Sequence, residues 1–145
     1  MSYTGDSMAK GRPVSLRIPD EARAAIQDTM RRTGRDFSSV ANEMLTEAAR
    51  MRRIPGIVFA DGPTGRRARV AGTGLDVFEV VRAYRKLGHD WERLRRAYDG
   101  LTELQLRAAL AYAEAYPEEI EERLRTEAQW AKEAIWAQHP FTRPR

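Results

Sequence analysis

At the amino end of the chain, apolar and polar positions alternate and then change period. In "VSLRIP", Val14, Leu16 and Ile18 alternate with Ser15 and Arg17, the period-two pattern of a half-buried strand. After Pro19, the apolar positions Ala22, Ala25, Ile26 and Met30 follow the spacing of one helix face, with Asp20 placed to cap the helix and Gly34 to end it. A second helix opens at Ser38 or Ser39 and buries Phe37, Ala41, Met44, Leu45 and Ala48. The order is strand, helix, helix.

Further on, two β-prone runs in "IVFADGPTGRRARVAG" flank the turn formers Asp61 to Gly65 and predict a hairpin. Three helices follow: one over 75–87 closed by Gly88, one over 91–98 opened by Asp90, and one over 103–115 opened by Thr102 with Gln105 in the capping-box place. Pro117 starts a last helix to residue 137, in which Ile120, Leu124, Ala128, Ala131 and Ile135 form an apolar stripe flanked by Trp130 and Trp136. The predicted fold is mainly α with short β elements. It divides into a disordered lead-in (1–11), a strand-helix-helix unit (12–53), a hairpin plus helical domain (54–117), an amphipathic helix (118–137) and a loose tail (138–145). Pro55 and Gly56 in "RRIPG" mark the main boundary.

The opening strand has no neighbour within its own unit, and a lone strand leaves a row of backbone N–H and C=O groups unpaired. Two copies pairing antiparallel across a two-fold axis would satisfy each other and bury Val14, Leu16, Ile18, Ile26, Phe37 and Leu45 in a shared dimer core. Ser15 and Arg17 then face outward on a two-stranded ribbon, a shape that fits the major groove of double-stranded DNA, where arginine pairs with guanine. The bland alternative is an edge strand of an ordinary sheet, with Arg17 a solvated charge.

Charge changes the picture by its distribution. The 25 Lys and Arg exceed the 21 Asp and Glu, and the formal charge is +4. Residues 1–56 carry ten basic and seven acidic side chains, 57–100 nine and six, and 101–145 six and eight, so the basic excess lies in the first two thirds. That suits a polyanion partner near the amino end. With no cysteine, the chain needs no oxidising compartment and offers no thiolate site. The first twelve residues lack an apolar core, and no run approaches a membrane span, so a cytoplasmic protein with no membrane contact is expected.

"RPVSLRIPDEARAAIQDTMRRTGRDFSSVANEMLTEAAR" resembles the ribbon-helix-helix repressors of the MetJ and Arc type. The resemblance implies an intertwined dimer, or a higher homo-oligomer, on operator DNA. By position, base reading falls to Arg12, Pro13, Ser15 and Arg17, and phosphate contact to the amino end of the second helix at Phe37, Ser38 and Ser39. Pro13 departs from the pattern because it lacks a long polar side chain, which shifts readout toward Arg17 and Arg12.

The stretch from about residue 54 to 122 is similar to a bacterial family, domain of unknown function 433. The likeness rests on Gly72-Thr73, Leu101-Thr102 and "RAALAY" at 107–112, with Tyr98-Asp99 standing where the family has Tyr-Pro. That family resembles helix-turn-helix domains and occurs in antitoxin-like proteins encoded beside PIN-like ribonuclease toxins, so a VapB-like antitoxin and a small ribonuclease partner are what the resemblance implies.

The remaining candidates carry bland readings beside functional ones. Arg66, Arg67 and Arg69 on the hairpin, and Arg93, Arg95 and Arg96, are placed to follow a phosphate backbone, or are solvated faces. Gly72-Thr73-Gly74 reads as a tight turn, since no Walker Lys-Ser/Thr follows it. Tyr84, Trp91, Tyr98 and Tyr112 read as core aromatics. His89 and His139 stand too far apart to predict a metal, and no cofactor or catalytic group is expected. The stripe of the last helix either folds back on its own chain or uses Ile120, Leu124, Trp130, Ala131 and Ile135 to bind a partner, with the nearby acids favouring a basic surface. The expected function is a DNA-binding antitoxin. A stand-alone repressor is the neighbouring alternative.

Overall fold

The computed structural model describes residues 11–145, and the expected disordered lead-in lies outside the described residues save for Gly11. Two compact units divide the chain between Met44 and Leu45.

The first unit holds helix α1 (Asp20–Thr33) and the first part of α2 (Phe37–Arg53), as far as Met44. Asp20 and Glu21 occupy the first turn of α1 and Arg31 and Arg32 its last, which complements the helix dipole. The expected cap at Asp20 is corrected: Pro19 holds the cap position, Asp20 is the first helical residue, and no side chain caps this end. Gly34 closes α1 with φ +71°, donating its N–H to the Met30 carbonyl at 2.9 Å. Helix α2 opens two to three residues earlier than a cap at Ser38 or Ser39 predicts. Its cap is Asp36, whose Oδ1 accepts the Ser39 N–H at 2.8 Å. Ile26 and Val40 are the buried apolar side chains of the two helices.

Residues 11–19 form neither strand nor helix in the single chain. The expected ribbon is therefore not visible: among the described residues no strand lies beside this segment.

The second unit begins inside α2 rather than at Pro55-Gly56, because the last turns of that helix carry Glu47, Arg50 and Arg53 and these engage residues of the second unit. Strands β1 (Ile57–Ala60) and β2 (Arg67–Val70) make the predicted antiparallel hairpin, with Ile57 opposite Val70 and Ala60 opposite Arg67. Gly62 and Gly65 exchange N–H···O bonds at 3.1 Å across its turn. Helices α3 (Val77–Lys86), α4 (Trp91–Ala97), α5 (Glu103–Ala115) and α6 (Pro117–Gln138) follow, then a 3₁₀ turn at Pro140–Thr142 inside the segment expected to be loose. The caps of α4 and α5 fall where the sequence puts them. Asp90 accepts the Arg93 N–H at 3.1 Å, and Thr102 and Gln105 form a reciprocal box at 3.1 and 2.8 Å. The core joins Ile57 and Val70 of the hairpin to Val77, Val80, Leu94, Leu106, Ala109, Tyr112 and Ile120.

Candidate nucleic-acid interface

Arg12, Pro13, Ser15 and Arg17 all stand exposed in the segment before α1. Between them Val14 is 79% exposed and Leu16 62%, while Ile18 is half-buried. Of the other residues expected in a dimer core, Ile26 is buried, Phe37 half-buried and Leu45 58% exposed. A single chain thus buries one of the six and leaves the apolar edge of its opening segment in water.

Ser38 and Ser39 are exposed at the amino end of α2, where the helix dipole attracts anions, although the Ser39 N–H is already taken by Asp36 Oδ1. Arg35 adds a cation there that sequence reasoning missed. Its guanidinium donates to Ser39 Oγ at 2.9 Å, to the Ser39 carbonyl at 3.2 Å and to Glu43 Oε1 at 3.0 Å, which fixes it along the first turns of the helix. The available signal was its place one residue before the capping Asp36.

The hairpin arginines turn toward their own domain. Arg67 is 7% exposed, paired with Asp76 Oδ2 at 3.1 Å and Glu127 Oε1 at 2.9 Å, and it donates to Thr64 Oγ1 at 2.6 Å. Arg69 reaches the other oxygen of Asp76 at 3.0 Å. Arg66 takes Glu47 through two bonds, at 3.0 and 2.5 Å, and those hydrogen bonds raise its already high pKa against the opposing effect of burial. All three charges sit against carboxylates, so the role that sequence offered them on a phosphate backbone finds no support in their placement. Arg93 and Arg95 make only exposed pairs with Asp90 and Glu92, at 3.8 and 3.5 Å, and Arg96 is exposed.

Helix α6 divides along its length. Ile120 is 4% exposed and belongs to the core, and Leu124 packs against it, so neither is free for the partner contact the stripe predicted. Arg123 donates to Thr64 Oγ1 and to the Arg66 carbonyl, each at 2.7 Å, and pins the helix to the hairpin turn. Past Glu127 the stripe comes free: Trp130 is 48% exposed, Ile135 52%, and Ala131 is exposed.

Beneath the start of α6, Arg50 of α2 joins Glu119, donates to Tyr112 Oη at 2.9 Å and stacks 4.2 Å over the Tyr116 ring. Burial first, then its bond to Glu119, pushes the Tyr112 phenol well above the ordinary tyrosine value. This polar cluster is structural, tying α2, α5 and α6 together.

No helix among the described residues is long and apolar enough to cross a membrane. No curated protein and no solved structure matches the chain. Residues 57–113, the hairpin with α3, α4 and most of α5, match the family model described as "Protein of unknown function (DUF433)".

Proposed function

We propose that the chain is a DNA-binding antitoxin. It acts as a dimer that represses its own operon through a ribbon shared between two copies, and it neutralises a small PIN-like ribonuclease toxin through the second unit and the end of α6. The role is binding rather than catalysis. The observation that carries this reading is the exposure of Val14 and Leu16, at 79% and 62%, in an alternating segment that leads directly into two helices. Pairing with the same segment of a second copy covers these side chains, satisfies the backbone, and leaves Ser15 and Arg17 outward for base edges. The exposed Ser38 and Ser39 at the amino end of α2 supply the phosphate contact that holds the ribbon in register.

The test is binding of the chain to the DNA immediately upstream of its own reading frame. Arg17→Ala is expected to lose ~1–3 kcal/mol per half-site and to relax sequence preference, because a bidentate base contact carries discrimination. Equal binding by wild type and Arg17→Ala across a salt series removes the ribbon as the reading element. Operator binding by a chain that ignores the ribonuclease encoded beside it reduces the proposal to a stand-alone repressor.

A further inference from the structure

Helix α5 buries one face and leaves the opposite one bare. Leu106, Ala109 and Tyr112 belong to the core, whereas Leu104, Arg107, Ala111 and Glu114 are all exposed, Leu104 at 80%. At ~100° per residue these four positions lie within ~80° of one another, opposite the buried set. Their spacing of three or four residues is that of the seam by which one helix packs lengthwise on another. The seam runs along the exposed side of α5 from its first turn to its last.

The two charges on this seam are unequally served. Arg107 lies 4.5 Å over the half-buried Trp91 ring and pairs with Glu103 at 2.8 Å, an exposed contact within one helix of the kind that contributes little. Glu114 makes no hydrogen bond or ion pair among the described residues. It stands seven residues, or ~10 Å of helix, beyond Arg107, too far for the two to meet within one chain.

We infer that this face is a second two-fold contact between copies of the chain, in which the α5 helices of two chains pack antiparallel about Ala111. The charges set the direction. Antiparallel packing brings Arg107 of each chain beside Glu114 of the other, whereas a parallel pair sets arginine on arginine and glutamate on glutamate. The small Ala111 lets the helices approach, Leu104 becomes covered, and Trp91, already stacked on Arg107, supplies an aromatic side chain at the edge. A polyanion is the poorer occupant, because the face offers one arginine against Glu103 and Glu114. This contact neither requires nor excludes the ribbon or a toxin, and it goes beyond the antitoxin reading.

The test uses the full-length chain, whose lack of cysteine makes a single introduced thiol unambiguous. Ala111→Cys lies beside the two-fold axis. Mild oxidation should therefore link it to a second copy at least roughly tenfold faster than Ala97→Cys, at an exposed alanine of α4. In the Ala111→Cys background, Arg107→Glu or Glu114→Arg should each slow the linkage to the control rate. Combining the two should restore it, because the reversed charges meet again only across the contact. All of these positions are exposed, so circular dichroism should be unchanged. Linkage of Ala111→Cys no faster than that of Ala97→Cys, or indifferent to both charge reversals, overturns the contact, and so does a double reversal as slow as the single ones. Shielding of the thiol by the protein encoded in the adjacent reading frame, with no linkage of the chain to itself, gives the face to that partner and excludes the second copy.

Discussion

Tyr112 donates its phenol proton to Glu119 Oε2 at 2.6 Å, joining the last full turn of α5 to the first turns of α6. The ring is fully buried, and Arg50 of α2 donates both to Glu119 Oε2 and to the Tyr112 phenol oxygen. Because the folded chain holds this proton above the unfolded value of ~10, stability from this group is complete below ~pH 10. It declines as pH rises from there, since the unfolded chain then releases a proton that the folded chain keeps. Tyr112→Phe should cost ~1–2 kcal/mol at neutral pH through the lost hydrogen bonds, and the cost should shrink in alkali. Urea unfolding of both proteins at neutral and alkaline pH measures this, and a parallel loss of stability in the two excludes Tyr112 as its source.

Arg67 is the centre of a second polar cluster. Replacing it by Ala leaves Asp76 and Glu127 partly served by Arg69 and Arg123 but removes the buried charge between them. The expected cost is ~3 kcal/mol, and Arg67→Lys should recover little because one ammonium cannot span Asp76, Glu127 and Thr64 in their present positions. Gly62→Ala should act through the same cluster, since an added methyl meets the Arg67 guanidinium. Chemical denaturation of the three variants tests the arrangement, and a stability within ~0.5 kcal/mol of wild type for Arg67→Ala speaks against a stabilising network.

Local signals were legible in the sequence and distant ones were not. Gly34, Asp90 and the Thr102–Gln105 pair mark helix ends because the groups they satisfy lie within four residues, and Pro117 marks one because its missing N–H costs nothing in a first turn. Asp36 was overlooked because Ser38 and Ser39 offered equally good caps two and three residues later. "RRARV" reads identically for an outward basic strand and for one whose arginines turn inward. What decides between them is Asp76 at the start of α3 and Glu127 on α6, whose approach depends on the tertiary fold. The break within the apolar stripe of α6 has the same origin, since period alone cannot say how far along a helix the core extends. The alternation at Val14, Leu16 and Ile18 is plain in the sequence, but among the described residues no strand pairs with it.

Truncations should reveal that break. A chain ending at Tyr116 loses Ile120, Leu124, Glu119, Arg123 and Glu127, and with them the contacts that close the second unit. It should therefore lose the cooperative unfolding of that unit, contrary to what an independent helix from residue 118 would allow. A chain ending at Glu127 keeps every one of those residues and should melt within a few degrees of the full chain. Calorimetry separates the two cases. Ile120→Ala, at an expected cost of ~2–4 kcal/mol, is the single-site version.

Leu16→Asp distinguishes a shared ribbon from a solvated edge. In the isolated chain Leu16 is 62% exposed, so an aspartate there should be nearly neutral if the protein is a monomer. In a ribbon shared between two copies, the same aspartate enters the dimer core twice, once from each chain, and an unpaired buried carboxylate costs several kcal/mol. Folding and association should then fail together, with a midpoint that depends on protein concentration in the wild type. Ser15→Asp is the control, since Ser15 alternates with the apolar positions and faces away from the core in either arrangement. It should preserve the dimer while adding a negative charge that opposes DNA binding. Sedimentation equilibrium on the three proteins decides the matter: a wild-type monomer, or a Leu16→Asp dimer as tight as wild type, excludes the shared ribbon.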